Sequence, residues 1–160
     1  MSSLDRRTFL IAPLALAACG FTPVYGPGGT AATLRGQVMV QAPGTRDAFL
    51  LVQELERQLG RSADPTYGLK LSLTVTPEGL AVTRSGSVTR YNLVGQATYA
   101  LVRIADETEI AKGEVENFTT YSTAGSTVET LAAERDARER LMTILASQIT
   151  ARLYAQADLA

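Results

Sequence analysis

From Leu69 to Thr76 the chain alternates strictly: Leu69, Leu71, Leu73 and Val75 are apolar, and Lys70, Ser72, Thr74 and Thr76 are polar. Successive side chains of a strand point to opposite faces, so this stretch is a strand with one face to bury and one to leave wet. That constrains the fold more than any other feature. A sheet buried on one side only needs a covering layer, and the layer must come from the same chain.

The neighbouring stretches supply both sheet and cover. Pro77-Glu78-Gly79 is expected to interrupt or bend the strand, with Leu80 to Thr83 resuming it, and Arg84-Ser85-Gly86-Ser87 reads as a turn. A longer strand follows from Thr89 to Ile104, with Tyr91, Leu93, Gly95, Ala97, Tyr99 and Leu101 on one face. Asp106-Glu107 then turns the chain into a strand from Glu109 to about Tyr121, completing an antiparallel meander. Before the meander, Leu34 to Val40 reads as a short strand ended by Pro43-Gly44. A helix follows it, with Thr45 as N-cap, Asp47 in the first turn and Gly60 as the stop. Its apolar stripe is Ala48, Leu51, Val52, Leu55 and Leu59. After the meander, Ser126-Thr127-Val128-Glu129 is a capping box that opens a long helix to about Tyr154. Leu141, Leu145, Ile149 and Leu153 step along one side of it, continued upstream by Ala137. Glu134 with Arg138 and Asp136 with Arg140 form i,i+4 pairs expected on a solvated face. The expected fold is α+β, a two-layer sandwich of order β-α-β-β-β-α. Two helices pack on one face of a four-stranded sheet, mixed because its first two strands are joined through a helix.

Upstream of the sandwich, Arg6-Arg7 precede an apolar run from Phe9 to Ala18, then Cys19, the one cysteine of the chain. The run is far shorter than the roughly 20 residues a membrane-spanning helix needs. A short apolar core behind positive charge and before small residues is a signal peptide. Leu16-Ala17-Ala18-Cys19 resembles the lipobox of bacterial lipoproteins, which implies cleavage before Cys19 and acylation of that residue. Two or more acyl chains give a stable membrane anchor. Arg6, Arg7, Phe9 and Leu10 also resemble a twin-arginine signal, although Asp5 and Ile11 depart from it; an ordinary Sec signal stays equally open. The expected organisation is a signal peptide over 1–18, a lipidated Gly/Pro-rich tether over 19–33, the sandwich over 34–155 and a flexible tail over 156–160. Within the tether, Phe21, Val24 and Tyr25 are more apolar than a purely solvated linker requires.

Composition excludes several function classes. Losing residues 1–18 removes Asp5, Arg6 and Arg7, so the 15 basic and 16 acidic side chains fall to 13 and 15. That near-balance argues against a nucleic-acid binder with a broad basic face. There is no His, and the single Cys is taken by lipid, so neither the usual zinc sites nor a Ser-His or Cys-His pair can be built. No cofactor is expected.

Three stretches in order carry a family resemblance: Cys19-Gly20-Phe21-Thr22-Pro23-Val24-Tyr25-Gly26, the strand Arg90-Tyr91-Asn92-Leu93-Val94-Gly95-Gln96-Ala97-Thr98-Tyr99-Ala100-Leu101, and the last helix from Glu134-Arg135-Asp136-Ala137 to Ile149-Thr150-Ala151-Arg152-Leu153. With the lipobox they resemble the lipopolysaccharide-assembly lipoproteins (LptE), alphaproteobacterial type. The resemblance implies a non-enzymatic lipoprotein on the periplasmic side of the cell outer membrane. Such a protein plugs and helps assemble the LptD-type β-barrel that inserts lipopolysaccharide, and binds lipopolysaccharide itself. It also implies a basic residue in the turn before the long strand, here Arg84, with Arg90 a second candidate. The family's other basic contact has no counterpart between Ser126 and Leu131, where only Arg135 and Arg138, a turn or two later, could substitute. Two other classes stand beside this one: an auxiliary periplasmic lipoprotein of a lipid-transporting ABC system, and a small periplasmic hydrolase. The hydrolase lacks a base other than carboxylates and has no Gly-x-Ser-x-Gly elbow.

Overall fold

The computed structural model describes residues 26, 29–82, 88–123 and 125–157; of Ala81 and Val82 it gives the backbone. In chain order the elements are α1 (Thr30–Leu34), β1 (Val38–Val40), α2 (Arg46–Leu59), β2 (Tyr67–Val82), β3 (Val88–Arg103), β4 (Glu109–Ser122) and α3 (Thr127–Gln156). The four strands form one sheet in sequence order; β1 runs parallel to β2, and the other pairs are antiparallel. The helices pack on one face. This is the two-layer α+β sandwich with a mixed sheet that the sequence leads one to expect, with one additional short helix at its start.

That helix is the first departure. Leu34, expected to open a strand, ends α1, which begins within the stretch read as tether, and the strand shrinks to Val38–Val40. Ala31 and Leu34 are three apart, so a helical turn puts both on one side, and both are buried in the core. Gly36, at φ +70°, then redirects the chain, and its N–H donates to the Leu59 carbonyl at 2.8 Å.

The helix ends follow their local chemistry. Thr45 Oγ1 accepts from Ala48 N at 3.2 Å, and Gly60 closes α2 at φ +80°. At the start of α3, Ser126 N donates to the Glu129 carboxylate at 2.7 Å, and Glu129 N donates to Ser126 Oγ at 3.3 Å, completing the expected capping box. Leu51, Leu55 and Leu59 of α2 and Leu141, Leu145, Ile149 and Leu153 of α3 are fully buried against Leu69, Leu93 and Leu101 of the sheet. Each such side chain stabilises the fold by about 1.5–3 kcal/mol relative to exposure. Gly95 sets how close α3 lies: a Cβ there would stand 3.0 Å from Leu141 Cδ2 and Leu145 Cδ1.

Two further expectations change. Pro77-Glu78-Gly79 does not interrupt β2; these residues stay in register with Leu93, Asn92 and Tyr91, and the irregularity falls between Gly79 and Val82. The reason is edge geometry. Leu71 N donates outward to Gln41 Oε1, so odd-numbered N–H groups of β2 face away from β3. Beyond Leu71 no described strand pairs with that side, and the N–H that Pro77 lacks falls on the free edge, where a proline is tolerated. Arg138, expected on a solvated face, instead ties the two long helices. Its guanidinium donates to Asp47 at 2.6 Å, in the first turn of α2, and to Glu134 at 2.8 Å. Asp136 and Arg140 do remain paired at the surface.

Candidate functional site: the open sheet face

Every residue that faces the helices has a neighbour facing away from them. The cross-strand rows on the far side are Lys70–Ala100–Lys112, Ser72–Thr98–Glu114, Thr74–Gln96–Glu116, Thr76–Val94–Phe118 and Glu78–Asn92–Thr120. No described element covers this side, and Ser72, Thr74, Thr76, Gln96 and Thr98 are exposed. The face is built of hydroxyls, amides and balanced charges. Gln96 Nε2 donates to the Glu114 carboxylate, and Thr120 Oγ1 donates to Asn92 Oδ1 at 2.9 Å. At its margin the Lys112 ammonium meets Glu109 at 2.7 Å, and that hydrogen bond holds the Lys112 pKa above its ordinary value. Cross-strand polar pairs of this kind fix neighbouring side chains without filling a core.

Exposed large apolar side chains break the pattern: Met39, 54 % exposed and paired with Gly68 on this face, and Phe118. Phe118 projects from the polar face and is 58 % exposed, flanked by Val94 and Thr76. A large aromatic ring in a polar surround is the composition of an interface anchor rather than of an ordinary wet surface. The sequence analysis did not single it out, although the β4 alternation carries the signal: Val115 faces the core, and Glu114, Glu116 and Phe118 take the opposite parity.

The candidate basic residues distribute as follows. Arg90 lies on this same face at its hairpin end, exposed, opposite Ala81 and Ser122. Arg84 lies outside the described residues, as do Cys19, Arg6 and Arg7. Arg135 is exposed on α3, while Arg138 is committed to Asp47 and Glu134 and is not available as a second basic contact. Near the Arg90 end, the rings of Tyr91 and Tyr121 stack on the helix side of the sheet with centroids 5.5 Å apart. Burial, with the nearby Glu134 charge, raises the Tyr121 pKa. At the other end Tyr99 donates to Gln156 at 3.2 Å and lies over Gly113, and Arg152 donates to the Glu114 carbonyl at 2.6 Å, seating the end of α3 on β4. Burial raises the Tyr99 pKa, and Arg152 opposes that shift. Asp106 shapes the β3–β4 turn, accepting from Thr108 N at 3.1 Å, which together with Arg103 holds its carboxyl low. No group of three or more potential metal ligands occurs among the described residues.

Residues 33–153 match the family model for lipopolysaccharide assembly, LptE. This chain belongs to the LptE family. The match spans most of the described sandwich, sheet and long helices alike. No sequence among curated proteins matches the chain. Among solved structures, a lipoprotein from Caulobacter crescentus CB15 is 24 % identical with a TM-score of 0.66, over 81 % of this chain and 96 % of that one. Lipoprotein B from Nitrosomonas europaea is 17 % identical with a TM-score of 0.56, over 74 % and 81 %. A minor lipoprotein from Acinetobacter baumannii is 18 % identical with a TM-score of 0.52, over 74 % and 90 %. At these identities the structures speak for the fold. The LptE family is one of lipopolysaccharide assembly rather than catalysis. Among the described residues, no helix is long and apolar enough to cross a membrane.

Proposed function

We propose that this LptE-family chain is an outer-membrane lipoprotein, held on the periplasmic side by acylated Cys19, that plugs an LptD-type barrel through its open sheet face and assists that barrel's assembly. The observation that carries the reading is the joining of two facts: the family match over residues 33–153, and a long sheet whose uncovered face is polar yet carries an exposed aromatic ring. A barrel lumen is lined by polar, inward-pointing side chains. Hydroxyls, amides and balanced charges suit such a wall, and Phe118 supplies one apolar anchor. A polar face of this kind also remains soluble before the partner is met.

Lipopolysaccharide is the second ligand in this reading. Its lipid A phosphates would take charge-assisted hydrogen bonds from guanidinium groups. Arg90 stands at the hairpin end of the open face, and Arg84 falls in sequence between β2 and β3, outside the described residues. With Arg138 held by two carboxylates, the basic contact rests on the hairpin arginines, with exposed Arg135 the remaining candidate on α3. Arg90→Ala is expected to weaken lipopolysaccharide binding and leave the melting temperature unchanged; unchanged binding would remove Arg90 from the site.

The decisive test is purification of the tagged, membrane-borne chain. Stoichiometric recovery of an outer-membrane barrel, and loss of outer-leaflet lipopolysaccharide on depletion, are the expected results. Recovery of inner-membrane ABC-transporter components without a barrel would refute the proposal. Cys19→Ser is expected to leave the domain folded and release it from the membrane fraction.

A further inference from the structure

The open face is not uniform along its length. Around Phe118 it is polar, but at the end away from the β2–β3 connection it turns apolar about Gly68. Gly68 pairs with Met39 of β1 on one side and with Val102 of β3 on the other. A Cβ at Gly68 would stand 3.5 Å from Val102 Cγ2 and 3.8 Å from Ile104 Cγ1. Val102 and Ile104 therefore lean over the same point that Met39 flanks. Met39 is 54 % exposed and Ile104 44 %. With Ala42 and Pro43, which follow β1, they line a cleft of about 840 Å³. Contiguous exposed apolar surface marks a contact with protein or membrane. Charge at the margin is balanced: Glu56 and Glu107 stand against Lys70 and Arg103, so the apolar surface decides what binds. Lys70 is exposed there, and its long stem can keep the ammonium among polar headgroups while the patch is covered.

The same end of the sandwich is where the described chain begins. There α1 shares a cleft with Gln58 at the end of α2 and Tyr154 near the end of α3. Just after α1, Gly36 N donates to the Leu59 carbonyl at 2.8 Å, and the Gln37 carbonyl accepts from Thr66 N and Tyr67 N at 3.0 Å. The Thr66 carbonyl in turn accepts from Ile104 N at 3.0 Å. Consecutive hydrogen bonds thus join the exit of α1 to the patch. Gly29, immediately before α1, is buried, and Gly26 is half-buried. Cys19 is seven residues upstream of Gly26, so whatever course those residues take it is no more than about 25 Å from it. Arg90, by contrast, is twelve residues from Val102 along β3, about 40 Å away. An acyl anchor at Cys19 therefore holds the Met39 end of the domain, rather than the Arg90 end, next to the bilayer.

We propose that the patch of Met39, Val102 and Ile104 rests in the headgroup layer of the phospholipid leaflet that holds the acyl chains of Cys19. The contact depends on that acylation, which belongs to the function proposed above, but not on the barrel. Acyl chains hold a protein at a membrane without setting its orientation. Apolar side chains that enter the boundary between headgroups and acyl chains, by about 5–10 Å, do set it. The open face beyond Ala100, with Phe118 and Arg90, then stands clear of the bilayer and is free for a partner.

The test uses the mature acylated chain, purified from membranes and reconstituted in vesicles of phosphatidylethanolamine and phosphatidylglycerol. Cys19 is the one cysteine, so with its sulfur in lipid an introduced cysteine alone takes an environment-sensitive nitrobenzoxadiazole label. Met39→Cys and Ile104→Cys report on the patch, Thr98→Cys and Arg140→Cys on the rest of the surface; all are exposed positions. Labels on the patch are expected to shift to the blue and to be quenched about threefold more by nitroxide-labelled phospholipid than labels at the other two positions. An Ala42→Cys label beside the patch is expected to share that quenching. It should lose the excess when Met39→Ser and Ile104→Ser are added, while the chain still floats with the vesicles on its acyl chains. Equal quenching at all positions, on a chain that floats, would overturn the contact and leave the acylation standing. A mass without acyl groups, together with no flotation, would refute the acylation and the contact with it. Protection of the patch labels that arises only when an outer-membrane barrel is added would also overturn the proposal, since the patch would then belong to the protein partner.

Discussion

Across β2, β3 and β4 the row Val75, Gly95 and Asn117 faces the helices, and one residue along, the row Thr74, Gln96 and Glu116 faces away from them. The backbone and pairing of the two rows are the same. On the covered side α3 lies so near that a single added carbon at Gly95 would meet Leu141 and Leu145 at 3.0 Å. On the open side side chains end in solvent. The covered face is thus dictated by packing, which fixes volume to within a methyl group. Folding makes almost no demand on the open face, so its hydroxyls, its charge balance and its protruding Phe118 answer to something other than stability.

The largest expected effects are on the covered face. Leu145→Ala should cost about 2–5 kcal/mol in urea unfolding, because it empties a fully buried site beneath the sheet. The matched open-face change Thr98→Ala should stay within about 0.5 kcal/mol. Comparable losses from both would abolish the distinction between the faces. Next is Arg138→Ala, which removes hydrogen bonds from two carboxylates that are themselves largely shielded. After allowance for residual solvent screening, it should cost about 1–2 kcal/mol. A neutral result would return Arg138 to the solvated face that i,i+4 spacing alone suggests. Ser126→Ala at the start of α3 should cost about 1 kcal/mol. The same cap gives a pH signature. The Ser126 backbone N–H, with the side-chain hydroxyl, holds the Glu129 carboxyl below its ordinary 4.5. A depressed folded-state pKa contributes stability above about pH 4.5, and that contribution is lost as pH falls through the lowered value. Glu129→Gln should therefore flatten acid sensitivity below pH 4.5 without changing it at neutrality. The smallest stability effect is expected for Phe118→Ser, within about 0.5 kcal/mol, although this variant should lose the partner.

The sequence made much of this legible, for reasons specific to each element. The alternation from Leu69 to Thr76, the stripe from Leu141 to Leu153 and the capping box at Ser126 are local signals that tertiary packing has no cause to override, and the structure follows each. The misreadings came where the deciding partner is distant in sequence. Thr30 to Thr33 looks like the end of a Gly/Pro-rich linker, and Leu34 like the start of a strand, until the core that receives Ala31 and Leu34 is present. Pro77 reads as a break unless β2 is known to be an edge strand there. Arg138 reads as an i,i+4 surface charge because Asp47 is 91 residues away. Of the candidate surface, the polar parity of β2 and β3 was readable, whereas the exposure of Phe118 depends on which face the helices choose. The basic residue Arg84, the lipidated Cys19 and the Arg6-Arg7 pair rest on motif and resemblance.

The account turns on which face meets the partner, and site-specific photo-crosslinking in cells asks that directly. A crosslinker placed at Thr74, Thr98 or Phe118 on the open face, or at Arg140 or Ala151 on the outer side of α3, leaves the core intact, since Thr74, Thr98, Phe118, Arg140 and Ala151 are all exposed. The account predicts strong capture of an outer-membrane barrel from the three sheet positions and weak capture from the two helix positions. Capture from the helix positions alone would contradict it, because the polar sheet face would then be turned away from the barrel wall.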